Sequence, residues 1–405
     1  MPSVMPEGQP APRDGSLPEQ ARSELSLRPL GIYIHVPFCT TRCGYCDFNT
    51  YTAAELGSEP GASRAGYVDA AIHELELAAR VLGPDAPAVS TIFIGGGTPT
   101  VLPPDDLGRL IIAVRNHFGL ALDAEVTTES NPESVDLAGL NRLRELGFNR
   151  ISFGMQSAVP QVLATLDRTH SPGRPLRAVT DARAAGFANI SLDLIYGTPG
   201  ESASDWRESL DAALSVGPEH ISAYALIVED GTRLAARIRR GELAPTDEDD
   251  LADKYLIADD RFTSAGHTAY EVSNWSTSAA TRCRHNLGYW RSHHWWGIGP
   301  GAHSHVGGVR WWNLKHPQAY ASRLASGLSP AQARELLSPA QRRVERILLE
   351  LRLAEGLSIS LLTTTEKGRL VQLVARRLAV VEDGMLILTR SGRLLADGVI
   401  RDLLD

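Results

Sequence analysis

An α/β fold, built as a partial and open (β/α)6 TIM-like barrel with a small α+β module behind it, is what the sequence predicts. Three observations carry this. Short β-branched runs alternate six times with longer amphipathic stretches. Three of the four cysteines fall within eight positions, directly after the first run. Each of the next four runs ends on a glycine or an unusual polar residue.

Residues 1–29 hold six prolines and no hydrophobic periodicity, which predicts a disordered leader. The barrel is expected over 30–230. Its strands are predicted at Gly31–Val36, Thr91–Ile94, Glu125–Ser130, Arg150–Gln156, Asn189–Ile195 and His220–Ile227. Helices are predicted over 65–82, 104–118, 136–146, 159–167, 174–185 and 204–216. Right-handed crossovers then give a parallel sheet, and six units are too few to close the eight-stranded ring. Residues 231–329 form an extension. Within it, 241–260 reads as an acidic helix whose charged face needs only solvent. Residues 281–316 carry six of the twelve histidines and five of the seven tryptophans. A winged-helix-like module follows over 330–405, with helices at 341–353 and 366–378 and a hairpin over 382–388 turning at Asp383-Gly384. Its 12 Lys/Arg against 10 Asp/Glu are too balanced for DNA binding.

Composition narrows the function classes. With 405 residues and 43% apolar content the chain can bury a sizeable core. A net charge of −8 argues against nucleic-acid partners. No apolar run reaches the ~18 residues of a membrane span, so membrane contact could only be peripheral. The few, clustered cysteines point to a cytoplasmic protein that binds metal rather than to a disulfide framework.

The central motif is His35-Val-Pro-Phe-Cys39-Thr-Thr-Arg-Cys43-Gly-Tyr45-Cys46-Asp-Phe48. Three thiolates from one tight loop can hold three irons of a [4Fe–4S] cluster and leave the fourth open to a small molecule. The alternative is a zinc site with His35 as fourth ligand, but His35 is predicted inside a strand, and paired C-x2-C knuckles are lacking. The strand ends then gather a second set: Gly95–Thr98, Glu129-Ser-Asn131-Pro132, Gln156 and Asp193–Gly197. One such residue could be a bend or a cap. One per strand, at the end where barrels place their chemistry, points to a site.

The cysteine loop, followed after strand two by Gly95-Gly96-Gly97-Thr98-Pro99-Thr100, resembles the radical S-adenosylmethionine (SAM) superfamily. More narrowly it resembles the branch holding oxygen-independent coproporphyrinogen III dehydrogenase (HemN) and the HemW-type heme chaperones, over about residues 30–400. The resemblance implies a barrel of radical SAM type and a cluster on Cys39, Cys43 and Cys46. It also implies SAM contacts at Tyr33, Tyr45, Gly96, Gly97, Thr98, Glu129, Gln156, Arg168 and Asp193. Taken alone, Arg168 could be a helix-surface charge. The chemistry implied is one-electron reductive cleavage of SAM.

Two features divide the branch. The dehydrogenase pattern has a fourth cysteine two positions after the third, and here Phe48 stands there. His285-Asn286-Leu-Gly-Tyr289-Trp290 looks like the HNxxYW motif of the chaperones, with His285 and Tyr289 on one face if helical. His285 could ligate heme iron, with tryptophans stacking on the porphyrin, and the following stretch from Arg291 to His305 adds further candidate ligands, His293, His294, His303 and His305. The plainer alternative is that these aromatics only close the open side of the barrel. Cys283 is open between a packing thiol, a heme ligand and a redox bystander. The resemblance thus implies a chaperone that holds heme and hands it to acceptor hemoproteins. The alternatives are the dehydrogenase or a radical SAM enzyme acting on another substrate. A homodimer through a cluster-dependent contact is compatible with the sequence.

Overall fold

Side-chain parity along the strands decides the architecture. The computed structural model describes residues 7–56 and 63–405. In β1 (Leu30–Val36), Leu30, Ile32, Ile34 and Val36 are wholly buried on one face, while Gly31, Tyr33 and His35 turn to the other. The same alternation runs through β2 (Val89–Gly96), β3 (Leu120–Ser130), β4 (Arg150–Gln156), β5 (Ile190–Tyr196) and β6 (His220–Ala225). Outward residues such as Ile92, Val126, Phe153, Leu192 and Ile221 join one core with the covering helices. These are α1 (Arg64–Leu82), α2 (Pro104–Phe118), α3 (Leu137–Glu145), α4 (Pro160–Thr165), α5 (Arg174–Ala184) and α6 (Ala203–Ser215). Caps set the helix starts: Asp136 accepts from the Gly139 N–H, and Ser202 forms a capping box with Asp205. The inward face is polar or small, with Glu129, Ser152, Gly154, Asp193 and Ser222. It therefore does not fill with apolar layers as a closed barrel does.

β1 to β6 pair in parallel and in chain order, as the sequence predicts. The His/Trp-rich segment enlarges that sheet. After α7 (Glu248–Ser264), β7 (Asn274–Ser276) lies antiparallel to β6. α8 (Arg284–Trp290) then leads to β8 (His294–Ile298), which pairs in parallel with β1, Gly297 opposite Tyr33. β9 (His303–Val306), β10 (Val309–Asn313) and β11 (Ala331–Leu336) continue antiparallel, with α9 (Pro317–Ala325) between the last two. Trp296 on β8 meets Trp311 on β10 edge to face at 4.7 Å. The parallel part of the sheet thus has seven strands rather than six.

Three expectations are corrected. Residues 7–29 are not a disordered leader. Gln9 and Pro10 pair with Arg334 and Ala333 at the sheet edge, Ala21 and Leu25 are buried, and Glu24 meets Arg342 at 2.5 Å. Proline is tolerated on an edge strand and just before a helix, so its frequency misleads here. Residues 1–6 lie outside the described residues. The charged face of α7 is not wholly solvated either. Lys254 is buried 3.6 Å from Glu201, and Asp259 binds Arg390, Arg393 and the Trp275 indole N–H. Finally, the boundary at 330 falls inside the main sheet, because β11 pairs with β10. A second core begins with α10 (Pro339–Glu350) and α11 (Thr364–Ala375) and includes Ile347, Leu373, Leu386 and Leu403. Its hairpin, β12 (Ala379–Glu382) and β13 (Met385–Leu388), turns at Asp383-Gly384 with φ of 48° and 77°, as predicted.

Glu74 on α1 locks the two halves of the sheet. Buried, it accepts from the Gly299 N–H (2.8 Å), Asn313 Nδ2 (2.7 Å) and the Tyr320 hydroxyl (2.5 Å). Burial pushes its carboxyl up to about 7. Glu74→Ala would leave three buried donors unmatched and should cost about 3 kcal/mol or more. Glu74→Gln, which keeps one acceptor, should cost less. Urea denaturation at pH 8 measures both, and an alanine variant within 1 kcal/mol (~RT ln 5) of wild type would refute the lock.

Candidate functional site

The loop after β1 carries Cys39, Cys43 and Cys46 and is sewn to the sheet by backbone bonds. The Cys39 N–H donates to Tyr51 O (3.0 Å), Thr98 N–H to Phe38 O (2.8 Å) and Gly97 N–H to Val36 O (2.8 Å). On the other side Gly44 N–H donates to Leu166 O at the end of α4. Asn49 Nδ2 binds Pro300 O and Lys315 O, which fastens the loop to the β8–β10 side. Only glycine suits the next turn. Gly96 has φ +117°, and a Cβ on Gly97 would lie 2.5 Å from Phe38 O and 2.9 Å from Cys39 Sγ.

The three thiols open into a cavity of about 880 Å³ inside the barrel. Tyr33, Tyr45, Gly96, Gly97, Thr98, Glu129, Gln156, Arg168 and Asp193 line that same cavity. Parity puts most of them there, at inward positions or in the turn that follows a strand, whereas Arg168 reaches in from just past the end of α4. Arg168 is no surface charge. Its guanidinium donates to Gly154 O (3.0 Å) and stands 3.5 Å from Cys43 Sγ.

Burial shifts the ionisable groups of the site. Burial pushes the Glu129 carboxyl up to about 7, although it accepts the Gly96 N–H at 3.0 Å. Asp193 is raised by burial too, against hydrogen bonds from Ser152 (2.7 Å) and Ser222. Burial lifts Cys39 to about 11 and raises Cys46, so metal binding must release protons from the loop. Gln156 is held at φ +60° with its Oε1 buried and unbonded. An orphan amide oxygen, two carboxyls and a glycine cradle beside three thiols fit a small cationic molecule with hydroxyls next to a cluster. Zinc fits less well. The His35 Nε2–H donates to Asn49 O (2.9 Å), so Nδ1 accepts from the Tyr33 hydroxyl (3.0 Å), and neither nitrogen is available to a metal. Among the described residues no three His, Cys, Asp or Glu side chains converge as a single ion requires.

His285, Asn286 and Tyr289 line the cavity from α8, and Trp290 does not. One residue further round the helix, Trp290 packs against Tyr270, Leu287 and Leu353. Trp295 of β8 lines the cavity instead. His285 is buried, stacked on Phe93 at 5.3 Å, and bonded through Nδ1 to Thr91 Oγ1 and through Nε2 to the Tyr289 hydroxyl, both 2.8 Å. Burial lowers it to about 3, so it is neutral. Cys283 lines the cavity, and burial lifts its thiol to about 12. Sequence reasoning missed Phe93, Arg150 and Tyr224, whereas Trp295 and His303 lie in the 291–305 stretch that it counts among further candidate heme contacts. For Phe93 and Tyr224 the signal was present, because they share the parity of Tyr33 and Asp193.

The pattern of the Radical SAM superfamily matches residues 33–213. The heme chaperone HemW of Mycobacterium tuberculosis is 52% identical over 377 residues, 93% of this chain and 95% of that protein. The heme chaperone HemW of Bacillus subtilis is 34% identical over 80% of this chain and 84% of its own length. Among solved structures, coproporphyrinogen III oxidase (HemN) from Escherichia coli, a radical SAM enzyme, superposes with a TM-score of 0.80. It shares 23% identity over 95% of this chain and 92% of that one, a likeness of fold. No helix among the described residues is long and apolar enough to cross a membrane.

Glu129 gives a pH test of the site. Its folded value of about 7 lies above the ordinary 4.5. The stability it contributes is therefore fully present below 4.5 and is lost as pH rises through 7. Glu129→Gln keeps an acceptor for the Gly96 N–H. It should stabilise the ligand-free protein at pH 8 by roughly 1–2 kcal/mol and change it little near pH 5. Destabilisation at pH 8 in chemical denaturation would show that the carboxylate is already satisfied.

Proposed function

We propose, on the premise that this chain belongs to the HemW family of radical SAM proteins, that it is a heme chaperone. In this reading it holds a [4Fe–4S] cluster and SAM, binds heme, and passes the heme to acceptor hemoproteins. The observation that carries the reading is the single cavity into which the thiol loop, the strand-end polar set and the α8 aromatics all open.

Cys39, Cys43 and Cys46 would hold the cluster, which supplies one-electron chemistry at an iron left open by the missing fourth thiolate. Arg168, 3.5 Å from Cys43 Sγ, sets a positive charge beside a ligating sulfur. The backbone of Gly96, Gly97 and Thr98 can approach the amino-acid part of SAM closely, with no side chain in the way at the two glycines. Glu129 can take the ammonium, and Asp193 and Gln156 the hydroxyls. Tyr33, Phe93, Tyr289 and Trp295 give the cavity an aromatic wall, near-parallel at Tyr33 and Phe93 and edge to face at Tyr289 and Trp295, against which a porphyrin can pack.

Phe48 favours the chaperone over the dehydrogenase. It lies on the cavity, 48% exposed, where the dehydrogenase pattern puts a further cysteine. The test is anaerobic reconstitution of the full chain, followed by separate incubations with heme and with coproporphyrinogen III, SAM and reductant. Heme should bind stoichiometrically and move to an apo-hemoprotein, with no porphyrinogen turnover. Sustained protoporphyrinogen formation, or no heme uptake, would overturn the reading.

A further inference from the structure

The histidines on the cavity differ in what their ring nitrogens already do. His220 is bonded through Nδ1 to Ser191 Oγ (2.7 Å) and through Nε2 to the Tyr270 hydroxyl (2.8 Å). His285 is closed in the same way by Thr91 and Tyr289. His303, the first residue of β9, also lines the cavity, and its Nε2 is buried without a hydrogen-bond partner. A buried imidazole nitrogen left unbonded is unfavourable unless something else completes it.

We infer that His303 supplies the nitrogen that ligates heme iron, in place of the His285 suggested by the motif. The inference rests on the heme-binding reading above and deepens it. Ligation by His285 would break an existing ring-nitrogen hydrogen bond. Ligation through His303 Nε2 breaks none, and because the atom is covered the ring has to shift on its Trp312 stack to present it to the cavity.

The surroundings agree. Aromatic rings run along the cavity from Tyr33 to Phe93 (6.3 Å), Phe93 to His285 (5.3 Å), His285 to Tyr289 (4.9 Å) and Tyr289 to Trp295 (4.8 Å). His303 stands at the end of that wall, its carbonyl accepting the Trp295 indole N–H at 3.1 Å. Behind it the imidazole stacks on Trp312 at 5.9 Å and 27°. Burial holds it down to about 4, so the ring is neutral at physiological pH and has a lone pair to give. His305 also has an unbonded Nε2, but it does not line the cavity.

The test is a titration of the full chain with ferric heme, read by the Soret band and by affinity. His303→Ala should lose the imidazole-ligated spectrum and weaken binding by roughly tenfold or more. Added imidazole should restore the spectrum, which a merely misfolded variant would not allow. His285→Phe keeps a ring in the wall and should keep the wild-type Soret position. A His303→Ala spectrum like wild type, or loss of the ligated spectrum in His285→Phe with unchanged near-ultraviolet circular dichroism, would overturn the assignment while heme binding stood. No heme binding by the wild type would remove the chaperone reading, and this inference with it.

Discussion

A parallel sheet that spends its apolar side chains on the outside must satisfy polar groups on the inside, and the rest of this molecule is organised by that demand. In β1, β4 and β5 the outward positions are Ile, Leu, Phe, Val, Met and Tyr, which the covering helices absorb. The inward positions include Tyr33, Arg150, Ser152, Gly154, Ser191 and Asp193, with Ile195 the apolar exception. Some find partners within the barrel: Ser152, Ser191 and Ser222 all reach Asp193. Others do not, and the unfilled capacity of Gln156 and Glu129 is left facing the cavity. Parity therefore builds the core and the site in one stroke. A one-residue slip of any strand would turn both inside out.

Much of this was legible in sequence because period two is a local property. The six parallel strands, and the gathering of Glu129, Gln156 and Asp193, follow from alternation and from where the polar stops fall. The seventh parallel strand did not follow. Nothing local in His294–Ile298 says that it returns to the far edge and pairs with β1, since that register depends on Glu74 and Asn49 reaching across more than two hundred positions. The ordered N-terminal segment escaped for a similar reason. Its few anchors, Leu25 and the Glu24–Arg342 pair, are long-range, whereas its prolines are counted locally.

The His/Trp-rich segment shows where composition stops being informative. Its tryptophans divide by parity and helix face: Trp296, Trp311 and Trp312 are buried away from the cavity, Trp290 packs beneath α8, and Trp295 alone lines the cavity. Its histidines divide by hydrogen bonding, which no spacing rule reports. A short motif can thus mark the right region and still point to a residue whose chemistry is already spoken for.

Three glutamates make the same point about electrostatics. Glu74, Glu129 and Glu201 are all pushed up to about 7 by burial, so the shift by itself cannot separate site from scaffold. Their partners do. Glu74 takes three donors from three segments and acts as a clasp. Glu201 faces Lys254 and the Gly197 N–H, again within the protein. Glu129 has one backbone donor and an open cavity before it. Burial and the nearby Asp193 carboxyl raise its pKa, and the Gly96 N–H works against them. The electrostatic cost at Glu129 and the unbonded oxygen of Gln156 are thus two aspects of a single arrangement, which a cationic, hydroxyl-bearing ligand would complete.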